Sequence, residues 1–221
     1  WQGHFELPCL NLFNPAVRAY LFDVIRFWVD EFDIDGIRLD CANVLDFNFM
    51  KEMRQETARM KEDFWLMGEV IHGDYSRWVN PEMLHSVTNY ELHKSLYSGF
   101  NDHNFFEIAH NVRRLEAIGR QLYTFVDNHD EDRIASKLKL KEHLIPIYLC
   151  LFTLPGIPSI YYGGEWGVEG KRTNTSDEAL RPAIAISQSD GLKCELTEFN
   201  SAIGRIHDEN EALHGGRYQE L

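Results

Sequence analysis

Five times along the chain a short apolar run stops abruptly on polar or charged residues, and between the runs the patterning turns helical. The runs are Ile34–Asp40, Phe64–Val70, Ser86–Tyr90, Gln121–Val126 and Pro158–Tyr162. Several are near-continuously apolar, as expected of parallel strands covered on both faces. The first helical segment, Asn14–Glu31, has Asn14 as N-cap and Pro15 at its first helical position. Val17, Leu21, Val24, Ile25 and Trp28 form its apolar face. Further helical patterning covers Phe47–Lys61, a stretch after Tyr90 extending through His110 to Arg120, Leu140–Thr153 and Glu198–Glu209. Strands alternating with helices of this length predict βαβ units and an α/β fold with parallel pairing.

Two architectures satisfy that pattern. In a (β/α)8 barrel the polar residues at the strand ends gather on one face, so Asp40, Glu69 and Asp130 would converge on a single mouth. Five strands within 221 residues predict an incomplete barrel with three strands absent, because eight strands typically take about 250 residues. A doubly wound open sheet is the alternative. It favours a glycine-rich phosphate loop after its first strand, and none occurs here.

Composition narrows the function. A formal charge of −13 argues against nucleic acid, whose phosphates are bound through clustered Lys and Arg. No apolar run reaches the eighteen or so residues that would cross a membrane. Cys9, Cys41, Cys150 and Cys194 are scattered without CxxC pairing, so no zinc site is expected, and Cys41 and Cys150 read as reduced thiols in apolar surroundings. The sequence opens on Trp1 rather than Met and so tells nothing of a leader. The compartment is therefore not legible, with the reading leaning toward the cytoplasm.

Three strand ends carry the chemistry. Arg38 and Asp40 are two apart on a strand and share a face; a buried guanidinium there would keep Asp40 ionised, as a nucleophile requires, although a structural ion pair reads equally well. Glu69 is bracketed by Leu66, Met67 and Val70, surroundings that suit a general acid; the competing reading is a solvated strand-end glutamate. Asp127-Asn128-His129-Asp130 is the densest polar cluster. It can hydrogen-bond sugar hydroxyls and stabilise developing positive charge. With no second His at i+4, it does not read as a metal site.

Taken in order, these residues resemble the α-amylase family of glycoside hydrolases. Gly36-Ile37-Arg38-Leu39-Asp40 is similar to the family's nucleophile region, Gly68-Glu69-Val70 to its acid/base region, and Phe125 through Asp130 to the region ending in the transition-state-stabilising Asp. Leu7-Pro8-Cys9-Leu10-Asn11, Gly156-Ile157-Pro158 through Glu165, and Arg181-Pro182 extend the likeness along nearly the whole chain. The resemblance implies Asp40 as nucleophile, Glu69 as acid/base and Asp130 as stabiliser. It also implies Arg38, His129, Asn128, Asn43 and Tyr162 as substrate-binding residues, an α-glucan substrate, and no cofactor. Trp78, Tyr90 and Tyr162 could stack on sugar faces, but each reads first as a core residue.

Ala42-Asn43 after the nucleophile resembles cyclomaltodextrinases, neopullulanases and maltogenic amylases rather than relatives with Lys-His there, and no metal is expected. Cys9 stands where a charged residue is usual. The family's first conserved region is not found in the sequence. The resemblance thus implies a partial catalytic domain, with 1–13 closing an inserted loop domain and 14–221 forming barrel strands four to eight with their helices. Open strand edges would expose apolar surface, so self-association, or pairing with the missing portion, and weak or no hydrolysis by the isolated chain are expected. An α-glucan transglycosylase and a non-catalytic carbohydrate-binding or scaffold relative are the alternatives.

Overall fold

A computed structural model describes residues 5–219. These residues form two compact units, divided in the sequence between Val87 and Thr88.

The first unit opens with helix α1 (Pro15–Phe32), whose N-cap Asn14 accepts the Ala16 amide. Strand β1 (Gly36–Leu39), helix α2 (Phe47–Met60), strand β2 (Trp65–Gly68) and strand β3 (Ser86–Val87) follow. The strands are parallel in the order β1-β2-β3, with Arg38 opposite Met67 and Leu39 opposite Gly68. Phe22 of α1 stacks on Phe49 of α2 at 5.5 Å. These helices pack over a core that includes Met50, Leu66, Leu84 and Val87.

The second unit holds helices α3 (Tyr90–Asp102) and α4 (Phe105–Arg114), strand β4 (Tyr123–Thr124), the single turn α5 (Ile134–Lys137) and helix α6 (Leu144–Thr153). Strand β5 (Ile157–Pro158) and helices α7 (Ile186–Leu192), α8 (Glu195–Glu209) and α9 (Glu211–Gly215) complete it. Strands β4 and β5 are parallel, and Thr88 bridges Tyr123 on the other side of β4. Leu92, Leu96, Val126, Ile147, Leu151 and Leu196 form the heart of its core. Trp78 in the first unit and Tyr90 in the second are buried, as core residues should be.

Three expectations need correction. The helical stretch after Tyr90 is two helices, because His103 takes the left-handed conformation (φ 53°) and its amide caps α3 on Gly99 O. The run Ser86–Tyr90 pairs only at Ser86–Val87, and Tyr90 already begins α3 under the Asn89 cap. The run Pro158–Tyr162 is strand only at Ile157–Pro158; beyond it Gly163 at φ 83° turns the chain into a 3-10 segment. None of the described helices is long and apolar enough to cross a membrane. All four cysteines are free.

Candidate active site

In the first unit, the ends of β1 and β2 bring Arg38, Asp40, Cys41 and Glu69 together. The ladder continues past both strands: Glu69 N donates to Leu39 O at 2.8 Å, and Ala42 N to Glu69 O at 2.9 Å. Gly68 makes this wrap feasible, since a Cβ there would lie 2.7 Å from Ala42 Cβ and 2.6 Å from Leu84 Cδ1. Cys41 sits in the left-handed region (φ 44°), an uncommon conformation for a residue with a side chain. From it, the Cys41 amide donates to Glu69 Oε2 at 3.0 Å.

Arg38 serves both carboxylates. One guanidinium nitrogen donates to Asp40 Oδ1 at 2.8 Å and the other lies 3.3 Å from Glu69 Oε2. One carboxylate oxygen each of Asp40 and Glu69, together with Cys41 Sγ, lie within 4.8 Å of one another. Glu69 is buried, at 6% exposure. Arg38 is not the buried guanidinium anticipated. It lies on the surface, and the Asp40 side chain is 76% exposed, because both lie on or just past β1, the outer strand of its sheet.

Partial burial works to raise the Asp40 carboxyl, but the Arg38 hydrogen bond and charge outweigh it and hold Asp40 below the ordinary carboxylate range. Burial, then the charges of Asp40 and Glu69, push the Cys41 thiol up. Asp40, Cys41 and Glu69 are the one grouping of three metal-ligand side chains among the described residues. Arg38 already places a positive charge against both acids, which opposes a cation there. Asn43 is exposed on the 3-10 turn Ala42–Val44 that follows.

In the second unit, the turn after β4 presents Asp127 through Asp130. Asn128 shapes it: its Oδ1 accepts the amides of Asp130 and Glu131, both at 2.9 Å, and its Nδ2 donates to Tyr90 Oη at 3.0 Å. His129 and Asp130 point outward together, with Nε2 and Oδ2 3.0 Å apart. Arg181 donates to Asp130 Oδ1 and, through Nε, to His129 O, each at 3.0 Å. Arg172 lies 3.8 Å from Asp130 Oδ1. Tyr162 is half-exposed rather than part of the core, and its hydroxyl donates to Pro182 O at 2.9 Å.

Below the turn Asp127 is buried and accepts the Ile134 amide at 2.7 Å. Burial pushes it up to about 6, against that hydrogen bond and the nearby Arg133. Glu131 moves the other way: a hydrogen bond from His93, opposed by burial and backed by Lys137, holds it at about 2. Sequence reasoning did not single out Arg133, the Arg172–Asp130 pair or the Cys41 amide. An arginine in the polar run Glu131-Asp132-Arg133 reads as surface, yet Arg133 is fully buried.

The carboxylates and their arginines stand on the motifs that resemble one family, and comparison decides the matter. The model of the alpha amylase catalytic domain matches residues 1–202. The chain belongs to the α-amylase family. It is 32% identical to an intracellular maltogenic amylase of Bacillus subtilis over 75% of this chain and 29% of that protein. It is 31% identical to a cyclomaltodextrinase of Thermoanaerobacter pseudethanolicus over 98% of this chain and 38% of that one. Among solved structures, an Anoxybacillus α-amylase superposes with a TM-score of 0.83 at 29% identity, covering 96% of this chain and 48% of its own. The chain therefore spans less than half the length of these α-amylase-family relatives.

Proposed function

We propose that this α-amylase-family chain carries the catalytic carboxylates of an α-retaining glycoside hydrolase acting on α-1,4-glucans, including maltodextrins, starch and cyclodextrins. The observation that carries the reading is the spacing of Asp40 and Glu69, whose nearest oxygens lie within 4.8 Å under one shared guanidinium. A separation under that bound is compatible with the roughly 5–5.5 Å between carboxyl groups that double displacement uses and falls short of the ~6.5–9.5 Å that leaves room for a water in inverting enzymes.

In this mechanism Asp40, kept ionised by Arg38, attacks the anomeric carbon as the glycosidic bond breaks, and a covalent glycosyl-enzyme forms. Glu69 gives its proton to the departing oxygen, then takes one from the incoming water, which releases Asp40 with the α configuration restored. Asp130 offers negative charge to the oxocarbenium-like transition state. His129 grips a sugar hydroxyl, Asn128 holds the turn that presents both, and Asn43 and Tyr162 border the bound glucan. Residues 14–221 correspond in this reading to barrel strands four to eight, 1–13 to the end of an inserted loop domain, and the cytoplasm to the place of action. The names of the maltogenic amylase and cyclomaltodextrinase relatives support the substrate class.

Incubation of the chain and its Glu69→Gln variant with a chromogenic α-maltooligoside and with β-cyclodextrin tests the proposal. Hydrolysis, weak though it is expected to be in the isolated chain, that gives the α anomer and is lost in the variant supports it; if neither acts, the same pair is compared in the full-length parent. Hydrolysis unchanged by the substitution overturns the role of Glu69, and a β product overturns the mechanism.

A further inference from the structure

Arg133 combines features that no role assigned above requires. It is fully buried, and burying a guanidinium is costly; among the described residues its Nε and Nη1 have no hydrogen-bond partner, so ring faces and one carbonyl hold it. Its Cζ lies 4.4 Å from the ring centroid of Tyr161 and 5.4 Å from that of Tyr162, and one of its nitrogens donates to the Tyr162 carbonyl. Another nitrogen is 3.9 Å from Asp127 Oδ1. Its backbone amide donates to Gly170 O at 2.9 Å.

Three chain segments of the second unit thus meet at one residue, the third through its backbone amide. The first is the turn 127–134, closed on itself by the bond from Ile134 N to Asp127. The second is the Tyr161–Gly164 exit from β5. The third is the loop beginning at Gly170, which also supplies Arg172 and Arg181 to Asp130. The packing leaves no slack: a Cβ at Gly163 would lie 2.7 Å from the Arg133 guanidinium, and one at Gly170 would lie 3.1 Å from Arg133 Cγ. Lysine would keep the charge but could not stack a planar group on two rings while donating sideways to a carbonyl.

From this convergence we infer that Arg133 is a positioning residue, the buried pin that fixes the His129–Asp130 turn against the Tyr161–Tyr162 segment. The inference rests on the proposed role of Asp130 and adds to it the device that holds Asp130 in place. Asp130 is gripped from outside by Arg172 and Arg181 and from beneath, through the turn, by Arg133. Loss of the pin frees the turn while the hydrophobic core around Leu96 and Ile147 stays intact.

Hydrogen exchange read by mass spectrometry tests this on the chain itself. In Arg133→Ala and Arg133→Lys, peptides covering 127–134 and 159–166 should exchange about tenfold faster while peptides of α3 keep their rate. Guanidinium ion at ~20 mM, far below denaturing concentrations, should restore protection in Arg133→Ala and not in Arg133→Lys, whose side chain fills the space. Acceleration shared equally by α3, or none in either variant, would overturn the inference. Should Arg133→Ala not fold, the local-against-α3 comparison in Arg133→Lys decides alone. Maltooligosaccharide hydrolysis that persists in Glu69→Gln would sink the proposed reaction and leave the exchange result standing, so the two failures are distinguishable.

Discussion

Arg38, on β1, donates to Asp40 Oδ1 at 2.8 Å from two residues away, so the proposed nucleophile, one residue past the end of the strand, is held by a counter-charge that the strand itself positions. Removing the guanidinium leaves burial as the dominant influence on Asp40. In Arg38→Ala the Asp40 carboxyl should therefore titrate at higher pH than in the parent chain, followed by its side-chain carbonyl signal in 13C NMR. Turnover should fall by about two orders of magnitude, the usual loss when one charge-stabilising donor is removed. An unmoved Asp40 titration would show that Arg38 is not its partner in solution.

Asp127 makes stability depend on pH in a direction opposite to most carboxylates. Its folded value of about 6 lies above its ordinary 3.8, so the folded chain binds the extra proton in between. This group's contribution is fully present below pH ~4, is lost as pH rises through 6, and amounts to up to ~3 kcal/mol. Urea unfolding of Asp127→Asn, compared with the parent at pH 4.5 and 7.5, should show the variant gaining relative stability at the higher pH. A difference independent of pH would contradict the burial argument.

Gly163 has φ 83° and faces the Arg133 guanidinium. Alanine there meets both a strained backbone and a close contact, and should cost about 2 kcal/mol or more in chemical denaturation. A neutral result would mean that the segment 161–164 relaxes easily, against the pinned arrangement.

On α1, Phe27, Trp28 and Phe32 are each about half exposed, and their rings contact one another at 4.9–6.2 Å. A contiguous aromatic face of this kind favours association. Sedimentation velocity should show concentration-dependent self-association that Trp28→Glu combined with Phe32→Glu abolishes. A monomer at every concentration would contradict the expectation.

Much of this was legible in the residues, for physical reasons. Helix α1 is readable because Asn14, Pro15 and a 3.6-residue apolar period agree with one another, and the strands because their apolar runs end on charges. Asp40 and Glu69 could be singled out because each is a carboxylate that closes an apolar run, where a parallel α/β fold gathers its polar groups. The break at His103 could not be read, since the α3 cap is a left-handed conformation that the side chain does not announce. Arg133 was hidden for a different reason: its burial depends on Gly163, Gly170 and two tyrosines tens of residues away, which no local pattern records. The surface position of Arg38 follows from β1 being the outer strand of its sheet, a tertiary fact.

The central claim is that Asp40 is a nucleophile assisted by Glu69, and one trapping experiment bears on it directly. An α-glycosyl fluoride carrying a second fluorine at C5 has a leaving group that needs no proton, so Glu69→Gln should still form, and should accumulate, the glycosyl-enzyme. Peptide mass spectrometry is expected to find the added sugar on Asp40, with none in the double variant Glu69→Gln/Asp40→Asn. A label on any other residue, or no adduct while fluoride is released, would contradict the account.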